Sequence, residues 1–162
     1  MKKILILIST FILINNFALA AGGDSSSSTS KVSMYDEAVK LIKRAGKLEK
    51  KDNKDKAAKL YKEAFVKLEK ANKKDKNNPD ILNYMGFTSR KSGNFDEAEK
   101  FYLKGLSLNP GHNGINEYLG ELYVQTNRIE KAKERLEVLK TCNCKEYGEL
   151  ELIIKTRGTK VY

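Results

Sequence analysis

Cys142 and Cys144, in "KTCNCKEY", are the only cysteines of a 162-residue chain, and His112, in "NPGHNG", is its only histidine. With the carboxylates, these are the side chains whose types could carry chemistry. The cysteine pair reads three ways. In an oxidising compartment a lone pair most often forms a disulfide, which here would close the joint before the last helical stretch. A ring this small is easier to reduce, which suits redox sensing. Two free, half-buried thiols are the third reading. A metal site would need further ligands, and a chain this poor in histidine offers few. A catalytic histidine needs partners at a known geometry. None is visible around His112, which reads as a solvated turn residue. The sequence has no phosphate-cradling glycine motif, zinc-protease helix motif or serine elbow. Acids stand beside lysines at helical spacing, as in Glu130 with Glu134 and Glu97 with Lys100, and read as solvated faces. Neither catalysis nor a cofactor or metal is expected.

Targeting must be settled before folding. "MKKILILISTFILINNFALA" places Lys2 and Lys3 before an apolar run from Ile4 to Ile14 and closes on Ala18-Leu19-Ala20. This is the layout of a secretory signal, residues 1–20, cut after Ala20. The alternative is a retained anchor, but the run is shorter than the ~20 residues a spanning helix needs. No cysteine stands at the cut, so a lipid anchor is not expected. The lysine-led start and alanine cut site look bacterial, and the expected destination is a periplasm. Residues 21–33, "AGGDSSSSTSKVS", offer little to bury and read as a flexible leader. Formal charge is +10, from 31 basic and 21 acidic residues. Acids interleave the lysine runs "KLEKKDNKDKAAK" and "KANKKDKNN", and no stacking aromatics are set among the basic residues. A nucleic-acid partner is therefore not expected. The runs read as helix faces that keep the protein soluble. A weaker functional reading is peripheral attraction to anionic lipid or cell-wall polymer.

The elements around these residues repeat. Gly86 and Gly120, Ala98 and Ala132, Lys100 and Glu134, and Tyr102 and Leu136 each lie 34 residues apart. Two glycines and two alanines agreeing on one period mark a structural repeat. Asn78 is an N-cap signal with Pro79 at the first helical position. Gly93 suits a left-handed helix stop. Asn94 with Glu97 is close to a capping box, and Asn127 with Glu130 reads as the same device. A third copy, "NKDKAAKLYKEA" at 53–64, matches "NFDEAEKFYLKG" at 94–105 with an offset of 41. The surplus is about two helical turns, which predicts a longer second helix in the first unit. The first helix there carries Val39, Ile42, Ala45 and Leu48 as its stripe. The glycines and alanines are expected where helices approach most closely, with Phe95, Phe101, Tyr102 and Leu106 filling the face between units. "CKEYGELELIIKTRG" supplies an apolar face that could cover the last repeat.

These residues resemble the tetratricopeptide repeat. From Pro79 the chain supplies Leu82, Met85-Gly86, Ser89, Ala98, Tyr102, Gly105 and Pro110 at the family's signature positions. From Asn113 it supplies Leu119-Gly120, Tyr123, Ala132, Leu136 and Leu139. Asn116 and Cys144 depart from the pattern, standing where a large apolar residue and a proline would be. The resemblance covers roughly 34–155 and implies an all-α, right-handed α-solenoid of about three helix-turn-helix units. The units fall near 34–78, 79–112 and 113–144, with a cap helix at 145–155 and a tail at 156–162.

By the same resemblance, the first helix of each unit lines a concave face. That places Asn83, Tyr84, Phe87 and Arg90, then Glu117, Tyr118, Glu121 and Gln125, in a partner-binding groove. Aromatics in a groove are the usual anchors of peptide binding. The alternative is that one or more of the three rings is covered by the leader or the first unit. Tyr84, Gly114, Tyr118 and Glu121 stand where some members hold a carboxylate clamp of lysines, asparagines and an arginine, so chaperone-tail binding is not implied. The expected function is a periplasmic adaptor for a protein or peptide. The alternative is a basic structural protein of the envelope.

Overall fold

The structure, a computed structural model, describes residues 33–159. The expected signal segment, nearly all of the leader and the end of the tail lie outside the described residues. Seven helices follow in order: α1 Met34–Glu49, α2 Lys54–Lys74, α3 Pro79–Lys91, α4 Phe95–Leu108, α5 Asn113–Gln125, α6 Ile129–Leu139 and α7 Lys145–Lys155. No strand occurs among the described residues. None of these helices is long and apolar enough to cross a membrane. The helices pair as α1 with α2, α3 with α4 and α5 with α6, and α7 lies against α5 and α6. The chain is an all-α helical-repeat solenoid. α2 has 21 residues against 14 for α4, which is where the two surplus turns lie.

One device turns each hairpin. Asp52, Gly93 and Asn127 adopt left-handed backbone, with φ of 55°, 82° and 58°. The residue after each donates its backbone N–H to a carbonyl in the helix just ended: Asn53 to Leu48 at 2.9 Å, Asn94 to Ser89 at 2.9 Å, and Arg128 to Tyr123 at 2.7 Å. This closure satisfies carbonyls the helix end leaves unpaired. The stop expected at Gly93 is present. The capping boxes expected after it are not. Asn94 makes no side-chain cap bond, and Glu97 instead accepts from the Ser89 hydroxyl at 3.0 Å. Asn127 falls one period after Gly93 rather than after Asn94. It supplies the left-handed residue itself, which asparagine tolerates better than most side chains, and Arg128 becomes the N-cap of α6. The capping box of the described residues lies at α1, between Ser33 and Asp36. Asn78 caps α3 as expected, its Oδ1 accepting from the Asp80 N–H at 2.9 Å.

Small residues set the spacing of the layers. Ala45, Ala57, Ala98 and Ala132 are fully or almost fully buried. A Cβ built on Gly86 would stand 2.6 Å from Cδ1 of Tyr102, whose ring is itself buried. Gly120 does the same for another neighbour: its Cβ would stand 2.6 Å from Cδ2 of Leu150 on α7. The second glycine of the period therefore seats the cap helix. One expected filler is displaced: Phe95, at the start of α4, is 37% exposed rather than packed between units.

Gly86→Ala forces a methyl into a closed aromatic contact and is expected to lower unfolding stability by about 1–3 kcal/mol. Gly148, on α7, has nothing within 4 Å of a built Cβ. Gly148→Ala is expected to raise stability by about 0.5–1 kcal/mol through helix propensity. Urea unfolding of both variants measures the contrast, and equal effects would contradict this account of Gly86.

Candidate functional site

Side chains three and four residues apart share one face of a helix. On α3 that face carries Asp80, Asn83, Tyr84, Phe87, Arg90 and Lys91, and on α5 it carries Gly114, Glu117, Tyr118, Glu121 and Gln125. Together with residues of α1 and α7 they line two neighbouring hollows that share Tyr118. The narrower hollow, about 430 Å³, takes in Phe87, Arg90, Glu121 and Gln125. The wider, about 680 Å³, takes in Asn83, Tyr84 and Glu117. All eight residues expected in a groove thus line one or both hollows.

The floor of the narrower hollow is a run of rings. Tyr61 meets Phe87 edge-on at 5.8 Å between centroids, and Phe87 meets Tyr118 at 4.9 Å. The Arg90 guanidinium lies 5.5 Å from the Phe87 centroid and 5.8 Å from that of Tyr118. Its Nη2 is 2.7 Å from Glu121 Oε2, and both side chains are nearly inaccessible, at 4% and 10% exposure. Arg90 and Glu121 are therefore directed to each other rather than offered to a ligand. A second set closes the rim: the Tyr61 hydroxyl donates to Glu49 at 2.9 Å, and Lys91 Nζ lies 2.8 Å from the same carboxylate. Tyr61 was legible in the sequence only as the packing aromatic of α2. Its edge reaches the groove because α1 presents Gly46 beside its hydroxyl.

His112 is not a solvated turn residue. Its side chain is 14% exposed and caps α5, Nδ1 accepting from the Ile115 N–H at 3.2 Å. That leaves Nε2 to carry the proton and donate to Asp80 Oδ1, 3.1 Å away. One imidazole thus ends the connection between α4 and α5 and ties it to the start of α3. The sulfurs of Cys142 and Cys144 are at bonding distance, with the Cα atoms 5.2 Å apart, in the joint between α6 and α7. No cluster of metal-ligating side chains occurs among the described residues.

Repeated helical hairpins with a lined concave face define a class, the helical-repeat solenoids. Residues 89–143 match the family model for the tetratricopeptide repeat. Three solved structures are similar. The first tetratricopeptide domain of Spaghetti (RPAP3), bound to an HSP90 peptide, is 21% identical, with 78% of this chain and 97% of that one covered and a TM-score of 0.46. The Sgt2 tetratricopeptide domain of Aspergillus fumigatus is 17% identical over 78% of this chain and 82% of that one, at 0.48. The type III secretion chaperone SycD of Yersinia enterocolitica, in complex with a peptide of the translocator YopD, is 17% identical over 76% and 90%, at 0.46. No curated protein matches.

Burial marks the rings of this face electrically. It pushes the Tyr35 phenol up to about 12, with Tyr84 and Asp80 adding to the effect. Tyr61, Tyr84, Tyr102, Tyr118 and Tyr123 are raised as well, burial again first among the causes. Lys67, Lys140 and Lys145 are raised by hydrogen bonds to Glu37, Glu137 and Glu149. A group whose folded value lies above its unfolded one favours folding while protonated, so the unfolded chain loses protons first as pH rises. The stabilisation is complete below the ordinary phenol value of 10.0 and is lost through and beyond about 12. Unfolding free energy should be flat from about pH 7 to 9 and fall steadily above about pH 10. Urea titrations at fixed pH test this, and a level curve through about pH 11 would contradict the raised phenols.

Proposed function

We propose that this protein is an exported, non-catalytic adaptor that holds a protein or peptide segment against its concave face. One observation carries the reading: Tyr61, Phe87 and Tyr118 form a continuous aromatic floor in an open hollow of about 430 Å³, while the charges around them are paired with one another. Rings held at fixed positions by buried neighbours lose little entropy on binding, which is what an anchor site requires.

Phe87 and Tyr118 also pack on each other, so leucine is the safer replacement at both. The variant Tyr84→Ser/Phe87→Leu/Tyr118→Leu should keep its helical circular dichroism and lose partner capture from native envelope extract. The variant Phe95→Ala/Leu103→Ala, which changes exposed residues of α4 outside both hollows, should capture as the parent does. The opposite pattern would overturn the concave site. A second reading rests on α2, where Lys54, Lys56, Lys59, Lys62, Lys70 and Lys73 are all exposed. Capture that survives the groove variant but vanishes at moderate salt would favour that basic surface, because exposed charge attractions are screened.

Export to a periplasm is supported by the lysine-led, apolar, alanine-terminated start of the sequence. Protein released by osmotic shock should have the intact mass of a chain beginning at Ala21. A chain still beginning at Met1 in the membrane fraction would overturn this part of the proposal.

A further inference from the structure

The wider hollow differs from its neighbour in sign. Asp80, Glu117 and Glu146 line it against the single ammonium of Lys145, in a protein whose overall formal charge is +10. Lys145 is also committed, its Nζ 3.1 Å from Glu149. Glu146 has no hydrogen bond or ion pair to a described residue, and Asp80 receives only the His112 Nε2–H. Tyr35 and Tyr84 form one wall, centroids 5.9 Å apart, and Tyr118 forms another. Carboxylates among aromatic faces are what an organic cation needs, since ring faces and anions attract it together.

A second observation points the same way. Asn83 is 6% exposed and lines this hollow, yet its Oδ1 is buried with no hydrogen-bond partner. A buried acceptor left without a donor is costly unless something else supplies one. Gly114 lets α5 come close to the other end of the same amide, since a Cβ there would stand 2.9 Å from Asn83 Nδ2. The phenols report the same field, Asp80 adding to the raised value of Tyr84 and Glu117 to that of Tyr118.

We infer that the wider hollow receives the ammonium or guanidinium of a lysine or arginine side chain of the protein partner, with Asn83 Oδ1 accepting one of its N–H groups. This rests on the groove reading and adds a chemical selection to it. The probes are acetylated, amidated lysine and arginine, with norleucine and glutamate derivatives as neutral and acidic controls. They are titrated into isotope-labelled mature protein and followed by NMR. The basic probes should shift the Asn83 side-chain amide and the Gly114 amide, and the controls should bind at least about threefold more weakly. Asp80→Asn/Glu146→Gln should remove that preference while leaving the spectrum folded. Groove shifts with no preference for the basic probes would overturn the cation site and leave the adaptor reading standing. No groove shift with any probe would count against both. Shifts that grow with protein concentration before any probe is added would make the occupant a second copy of this chain and overturn the assignment to a partner.

Discussion

The turn between the two helices of each unit governs what can be built above it. A left-handed residue at Asp52, Gly93 and Asn127, followed by a backbone bond into the helix just completed, fixes the angle at which the chain reverses. With the angle fixed, the second helix must return at a set distance, and only a small residue tolerates that distance. Gly86 under the Tyr102 ring and Ala98 at full burial meet the requirement in the middle unit. Each hairpin still leaves one apolar face uncovered, so the next must stack on it. The repeated closure therefore sets the curvature, and the curvature brings α1, α3, α5 and α7 to one side.

On that side the face does two jobs with different residues. Arg90 and Glu121, from successive first helices, meet at 2.7 Å almost out of solvent. A buried ion pair contributes little net stability over a hydrophobic pair, but arrangements that leave either charge buried without the other are penalised. It acts here as a register pin between α3 and α5. The rings it lies against, Phe87 and Tyr118, are held in place as a result and need no ordering when something lands on them. The His112 bond to Asp80 is a weaker pin at the other end of the same two helices.

Much of this was legible in the sequence, because repetition turns a weak local signal into a strong one. Gly86 with Gly120 and Ala98 with Ala132 show the period without any knowledge of contacts, and the face of α3 follows from helical spacing alone. Where one residue type serves two purposes, the sequence misleads. Asn94 and Asn127 look alike, but the first follows the left-handed residue and the second is that residue. Gly120 looks like a copy of Gly86, but Gly86 seats Tyr102 of its own unit's second helix whereas Gly120 seats Leu150 of the cap helix. His112 reads as loop when its ring replaces the usual Ser, Asp or Asn at a helix start. Tyr61 reads as core because the reach of a phenol past a small neighbour is a property of tertiary packing.

The cap helix belongs to the site as much as to the fold. A terminal helix needed only to cover the last repeat could present any polar residues on its open side. α7 instead contributes Ile153 to the narrower hollow and Lys145 and Glu146 to the wider. Its seat is Gly120, which lets Leu150 approach closely, and the Cys142 and Cys144 sulfurs stand at bonding distance in its joint to α6. The two hollows then present an aromatic floor at one end and an acid-lined recess at the other.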